Sequence, residues 1–261
     1  MNQPLSYIHP EAKIAKNVVI EPFTTISKNV EIGEGTWIGP NVTIMEGARI
    51  GKNCKIFPGA VIAAEPQDLK FEGEESIAII GNNTTIRENV TVNRGTKASG
   101  KTIVGNHCLL MANAHVAHDC IVGDRAILVN NVALAGHVEI GEWAILGGLS
   151  AVHQFVKIGR HVMISGGTLV RKNVPPFVKA AKEPIQFIGV NSIGLRRRGF
   201  SNEKINEIQN IYRVFFQQFN NISKALEFVE AELPASIERD EILEFIKNSP
   251  RGIIKGIRND N

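Results

Sequence analysis

A parallel β-helix of six-residue repeats with a helical tail is the fold this sequence predicts. Three observations carry the prediction: an aliphatic residue at every sixth position, a small residue four places after it, and helical spacing beyond residue 200. Stepping by six from Ile8, the residues Ile14, Ile20, Ile26, Ile32, Ile38, Ile44, Ile50, Ile56 and Ile62 fall in register. The register resumes at Ile80, Ile86 and Val92, then runs from Val104 and Leu110 through Val116, Leu134, Ile158 and Ile164 to Val170. Of 28 such positions 25 are Ile, Leu or Val, where chance would fill about seven. An amphipathic helix, with its period of ~3.6, cannot produce that spacing.

The second column confirms the first. The residue four places after each aliphatic one is small or β-branched in 24 of 25 hexads, as at Ala12, Thr24, Ala114 and Ser150, with Pro66 the exception. One aliphatic and one small inward position per hexad suit a coil of three short strands around a narrow triangular prism. The 25 hexads then wind about eight coils, and at ~4.8 Å per coil the prism stands about 40 Å tall. Cys54, Cys108 and Cys120 all fall in the small column. There a thiol acts as a small buried apolar group, and the spacing fits neither a disulfide framework nor a zinc knuckle.

The register breaks twice, near residues 63–79 and 97–103, and both insertions keep the count of six. Such insertions loop out of a repeat fold and often line a site on one face. Gln67-Asp68-Leu69-Lys70 is read as functional, while Lys97 to Lys101 is as well explained by a solvated loop. The prism is expected over 1–176, since Pro175-Pro176 suits a ladder poorly, with a connecting segment over 177–200. A helical domain over 201–261 follows: Ile205, Ile208, Ile211 or Tyr212, Phe215 and Phe219 form one stripe capped by Ser201, and shorter helices cover Ser223–Glu232 and Ser236–Lys247. This tail is expected to cap the open end of the prism.

Composition narrows the function. The chain has 261 residues, 43% hydrophobic and 21% charged, which is ordinary globular chemistry. A net charge of +3 with Arg196-Arg197-Arg198 as its one basic cluster does not suit nucleic-acid binding. The first residues lack the pattern of a secretory signal, and no apolar run approaches the ~18 residues of a membrane span, so a cytoplasmic protein is expected.

Four of the seven histidines lie between residues 115 and 153. On an 18-residue coil His118, His137 and His153 are expected to stack in one column on an outer groove with Asp119, Gly136 and Gln154. Three imidazoles in a column favour a site over isolated structural histidines, whereas His9, His107 and His161 lack such company. Asp119 beside His118 can fix the imidazole tautomer, as a general base requires. Gly136 offers an unobstructed N–H for an oxyanion.

The stretches Asn113-Ala114-His115-Val116-Ala117-His118-Asp119-Cys120, Leu134-Ala135-Gly136-His137-Val138, Ala151-Val152-His153-Gln154-Phe155 and Asn191 through Phe200 make the chain similar to one family of hexapeptide-repeat acyltransferases. This is the acyl-carrier-protein-dependent UDP-N-acetylglucosamine O-acyltransferase family of lipid A synthesis. The resemblance runs from residue 8 to the end and implies a left-handed helix, a homotrimer and no metal or cofactor. It also implies transfer of a 3-hydroxyacyl chain from acyl carrier protein to the sugar 3-hydroxyl, without a covalent intermediate. In the family's terms His118 is the base, Asp119 its support and the Gly136 amide the oxyanion donor. Sugar contacts map onto Asp68, Lys70, His115 and His137, with Gln67 beside them. Residues near the nucleotide and acyl chain map onto His153, Gln154, Asn191, Arg197 and Arg198, the arginines as a pyrophosphate clamp. Gly166 maps to the far end of the acyl groove, two to three coils below the base, which implies a long chain. Two positions depart from the family pattern: Ile193 replaces an acidic residue and Asn93 a histidine.

Three other readings compete. The sister N-acyltransferase family resembles the chain but carries a domain before its hexads, which here begin at Ile8. A carbonic-anhydrase-like zinc enzyme would also use clustered imidazoles. A non-catalytic scaffold that binds carrier protein would show no affinity for the nucleotide sugar.

Overall fold

The computed structural model describes residues 5–256, so the ends of the expected 1–176 and 201–261 segments lie outside the described residues. Each hexad forms a short strand and a corner, and these strands stack in parallel into three sheets of nine, eight and eight, the third extended to eleven by strands of the tail. These wind as a left-handed β-helix, with helices at the C-terminal end. Neighbouring coils pair eighteen residues apart, Tyr7 with Thr25 and Ile26 with Ile44. The aliphatic column is the core: Ile26, Ile44, Ile62, Val92, Val116 and Leu134 are fully buried along the first sheet alone.

At most corners the third residue after the aliphatic one adopts a left-handed backbone, and asparagine often fills it, as at Asn41, Asn53, Asn83 and Asn131. Asparagine tolerates that region at little cost. Side chains here project outward along an edge of the prism, so residues eighteen apart stack. The small column closes the interior. Cys108 and Cys120 are buried free thiols donating to Gly123 and Ala135 carbonyls, and burial pushes them up to about 11 and about 12. Such thiols stay protonated and unreactive.

Register measures the insertions. Ile62 pairs with Val92 and Val92 with Val116, thirty and twenty-four residues apart, so the first adds twelve residues and the second six. Both loops are displaced from their sequence estimates. Ala64 and Ile77–Ile79 remain paired, which shortens the first loop to 65–76. Lys101–Ile103 pair with Ile77–Ile79, which moves the second loop to 94–100. Both leave the edge between the first and second sheets.

The third sheet does not stop at the prolines. Met163 and Ile164 pair in parallel with Lys179 and Ala180, and Val178–Ala181 folds back antiparallel on Gln186–Val190. Pro175 and Pro176 precede this strand, where their missing N–H groups cost the ladder nothing. Helix α1 (Ser192–Arg197) follows, then α2 (Asn202–Arg213), whose cap Ser201 accepts from the Lys204 N–H as expected. A π turn over Val214–Gln218 separates α2 from α3 (Ile222–Glu232) and α4 (Ile237–Lys247). The apolar stripe of α2 packs on the hairpin: Tyr212 Oη donates to the Pro176 carbonyl at 2.6 Å, and Phe187 stacks on Phe216 at 4.5 Å. The tail also reaches back along the last coils, where Arg160 pairs with Glu241 at 2.6 Å.

Candidate functional site

The edge between the first and second sheets gathers both inserted loops, His118, Asp119, Gly136, His137, Gln154 and Phe155. His118 Nδ1 lies 2.7 Å from Asp119 Oδ2. Adjacent residues of a straight strand could not meet so, but Asp119 holds the left-handed corner with φ of 59°, and both side chains turn to the same edge. Asp119 is buried and His118 nearly so. Burial raises the Asp119 carboxyl, but hydrogen bonds from Ser99, His118 and Thr96 outweigh it and hold the pKa below the usual Asp value. An ionised carboxylate only accepts, so Nδ1 carries a hydrogen, and in the neutral ring Nε2 is the nitrogen with the lone pair.

That nitrogen lies against Gly136: a Cβ built there would stand 2.7 Å from His118 Nε2 and 2.6 Å from Cε1. Glycine at 136 therefore makes room for the imidazole. Its N–H makes no hydrogen bond among the described residues, and the same holds for the N–H of His118 and Gln154 at equivalent corner places. The missing side chain is what distinguishes Gly136.

The column of rings differs from the expected one. His118 meets His137 edge to face at 5.1 Å, and His137 stacks on Phe155 at 4.5 Å. Phe155, eighteen residues after His137, is the third member, and His153 is not in the stack. The spacing of sixteen residues puts His153 two places early, in register with Ala117 and Ala135, and its exposed ring turns to the Gln154 carbonyl. Arg251, from the tail, lies over Phe155 at 5.1 Å and donates to the Gln154 carbonyl. His115 sits on the first sheet beside its strand partner Thr91, with Thr91 Oγ1 at 2.7 Å from Nδ1. Burial, then the neighbouring His118, lower its pKa.

The first loop carries Gln67, Asp68 and Lys70 along the same edge, where Asp68 Oδ1 accepts from the Lys70 N–H in a tight turn and Leu69 is wholly exposed. It rests on the second loop, with Glu74 Oε1 accepting the Lys97 N–H at 2.8 Å. Asn93 is buried at the base, its amide donating to the Glu65 carbonyl.

Asn191, Arg197 and Arg198 are not brought to this edge. Asn191 and Arg198 stand at the edge between the second and third sheets, with Arg197 beside Arg198 at the end of α1, and there His161 has company that the sequence reading missed. Arg125, Trp143, His161 and Phe177 hold successive left-handed corners there. Trp143 and Phe177 stack on the two sides of His161 at 6.4 and 5.8 Å, and Phe200 meets it edge-on. Asn191 caps α1 and donates to the His161 carbonyl. Arg197 is exposed, and Ile193, 63% exposed, also faces solvent. Gly166 stands on the remaining edge, between the third and first sheets, not beneath His118, because the interval of forty-eight residues is no multiple of eighteen. The signal that would have found the second column is simple: a bulky residue where a corner prefers asparagine, repeated at eighteen.

His118, Asp119 and His137 have ligand atoms within 4.8 Å of one another. Two ligands of a tetrahedral zinc stand about 3.3 Å apart, given Zn–N and Zn–O of ~2.0–2.1 Å. At 2.7 Å His118 Nδ1 and Asp119 Oδ2 are hydrogen-bonded and too close to ligate one ion through those two atoms; with Asp119 so engaged, this cluster offers a zinc the two imidazoles, one short of the three protein ligands of a catalytic site.

Residues 173–254 match the family model for domain 2 of UDP-N-acetylglucosamine O-acyltransferase, 101–136 match bacterial transferase hexapeptide repeats, and 2–106 match the GMPPB C-terminal domain. The acyl-[acyl-carrier-protein]–UDP-N-acetylglucosamine O-acyltransferase of Chlorobium phaeobacteroides is 60% identical over 74% of this chain and 73% of its own. That of Trichlorobacter lovleyi is 52% identical over 95% and 97%. A crystal structure of the UDP-N-acetylglucosamine acyltransferase from Bacteroides fragilis superposes with a TM-score of 0.95 at 54% identity, covering 98% of this chain and 100% of that one.

Proposed function

The chain belongs to the acyl-[acyl-carrier-protein]–UDP-N-acetylglucosamine O-acyltransferase family, and from that membership we propose that it transfers a 3-hydroxyacyl chain from acyl carrier protein to the 3-hydroxyl of UDP-N-acetylglucosamine, the first step of lipid A biosynthesis. The observation that carries the mechanism is the contact of His118 Nδ1 with Asp119 at 2.7 Å. It leaves Nε2 free to take the proton of the sugar hydroxyl as that oxygen attacks the thioester carbonyl. The C–O bond forms, the carbonyl electrons move to an oxyanion that the Gly136 N–H can stabilise, and the C–S bond then breaks. The proton on Nε2 goes to the departing thiol. No protein nucleophile enters, and the gain comes from holding both substrates together.

His115, His137, Asp68 and Lys70, with Gln67 beside them, line the sugar side in this reading, and His153 and Gln154 the acyl side. Asn191, Arg197 and Arg198 would hold the nucleotide, with the guanidiniums on its pyrophosphate. Those three stand on a different edge from His118, so one site that uses both edges takes two copies. A homotrimer in which each edge bearing His118 meets the neighbour's edge bearing Arg198 would meet that need. The proposal keeps the enzyme in the cytoplasm, as the sequence led one to expect; no described helix is long and apolar enough to cross a membrane.

The test is incubation with 3-hydroxyacyl carrier proteins and UDP-N-acetylglucosamine, followed by mass spectrometry. A product heavier by one 3-hydroxyacyl group, ester-linked at the 3-position, is expected. Nucleotide sugar returned unchanged by folded protein would refute the reading.

A further inference from the structure

The second insertion does one thing that its sequence does not announce. Asp119 Oδ1 accepts the Thr96 N–H at 3.1 Å, the Ser99 N–H at 3.3 Å and a close contact from Ser99 Oγ. Oδ2 accepts Thr96 Oγ1 at 2.7 Å, beside the His118 Nδ1–H. A carboxylate offers about four lone-pair directions, and here four donors from one loop share those that His118 leaves. The backbone joins in. At most other corners the left-handed residue donates its N–H to a carbonyl of the coil before it, as His137 does to His118. At Asp119 the insertion displaces that carbonyl, and Thr102 Oγ1 accepts the N–H at 2.9 Å instead.

We infer that Thr96 and Ser99 are positioning residues for His118, acting through Asp119. The inference rests on the reading of His118 as the base. A carboxylate free to turn about its χ2 could offer either oxygen or swing from the imidazole. Held on both oxygens, it presents Oδ2 alone to Nδ1–H, which locks the tautomer that leaves Nε2 as the base. The loop is itself braced, because Glu74 of the first insertion accepts the Lys97 N–H. Thr96 is buried in the small column, so its hydroxyl is ordered by packing before it reaches Asp119.

The experiment compares Thr96→Val, Ser99→Ala, their double and Thr96→Ser, each in wild-type and Asp119→Ala backgrounds. It reads kcat and KM, melting, and the ¹⁵N shifts of the His118 imidazole. Loss of a hydrogen bond to a charged group predicts about a tenfold or greater fall in kcat for Thr96→Val and more for the double, with the nucleotide-sugar KM within about twofold. The ¹⁵N shifts should move from the pure Nδ1–H tautomer toward a mixture, Thr96→Ser should restore both, and Thr96→Val should add nothing once Asp119 is alanine. A folded Thr96→Val, Ser99→Ala double with wild-type kcat and unchanged shifts would overturn the inference. So would an equal loss in the Asp119→Ala background, which would mark a purely structural role. If His118→Ala and Asp119→Ala keep their turnover, the base assignment fails, while the imidazole shifts still decide whether the loop sets the tautomer.

Discussion

Arg198 Nη1 lies 3.1 Å from His161 Nδ1 and Arg160 Nη1 3.3 Å from Nε2, with the Arg198 guanidinium over the Trp143 ring at 5.0 Å. A histidine that accepts from arginine must be neutral. Burial, then the charges of Arg198 and Arg160, lower His161 from its ordinary 6.5 to about 3. Between those values the unfolded chain takes up a proton that the folded one refuses, so stability is complete above about pH 6.5 and falls as the pH drops toward 3, by at most about 1.4 kcal/mol per unit. Glu241, raised mainly by burial, contributes with the opposite sign as the pH rises above its ordinary 4.5. Urea unfolding from pH 7 to 4 should show a shallower acid loss for His161→Gln than for wild type. Identical slopes would mean that His161 is not the group responsible.

His118→Ala should lower kcat by about 10²–10⁴, the usual worth of a positioned base, with melting unchanged, because the ring lies on an edge and outside both inward columns. Wild-type turnover by a folded variant would remove His118 from the mechanism.

Arg197 and Arg198 share a cluster but not a role. Arg197 is exposed, while Arg198 is partly buried on Trp143 and His161. Arg197→Ala should raise the nucleotide-sugar KM more than it lowers kcat, since a phosphate clamp holds ground and transition states alike. Melting should stay the same. Arg198→Ala should raise KM and also lower melting, because a buried imidazole loses one of its two guanidinium partners. A pure kcat defect in Arg197→Ala would contradict the clamp.

The prism was legible because period six, one aliphatic and one small, admits few other folds. The His118–Asp119 contact was legible only as adjacency: their meeting depends on the left-handed φ at Asp119, which the sequence marks weakly. Stacking was misjudged for His153 because two residues out of phase on an eighteen-residue coil is enough to leave a column, and Phe155 was passed over because a phenylalanine carries no proton chemistry. Thr96 and Ser99 stayed hidden, since a loop of small polar residues reads as solvent-facing until its partner is known. The split of the proposed site between two edges could not be counted modulo eighteen, because beyond Val170 the hairpin and α1 break the count.

Gly136→Ala is the sharpest test of the pocket around the base. The added methyl would stand 2.6–2.7 Å from the His118 ring, so the imidazole must shift, while φ at 136 is ordinary and the backbone accepts alanine. The expected outcome is a large fall in kcat with nearly native melting. Unchanged kcat would show that the ring position at Gly136 is not the reactive one.

Gly166 bears on chain length. Gly167, and not Gly166, holds the left-handed corner with φ of 68°, so turn-making does not account for glycine at 166. A Cβ there would stand 3.0 Å from the Gly148 carbonyl, a contact that a few tenths of an ångström relieves, and the longer methionine side chain then extends outward over the edge. That edge is not the one bearing His118, so Gly166 reaches an acyl chain only if a neighbouring copy brings the two edges together. Gly166→Met should then shift preference to shorter 3-hydroxyacyl carrier proteins, by ~0.8 kcal/mol for each methylene no longer buried. Competition between long and short donors measures the ratio. An unchanged ratio in a folded, trimeric variant would rule Gly166 out as a measure of chain length, and a fall in melting without a change in ratio would leave it a packing role against Gly148.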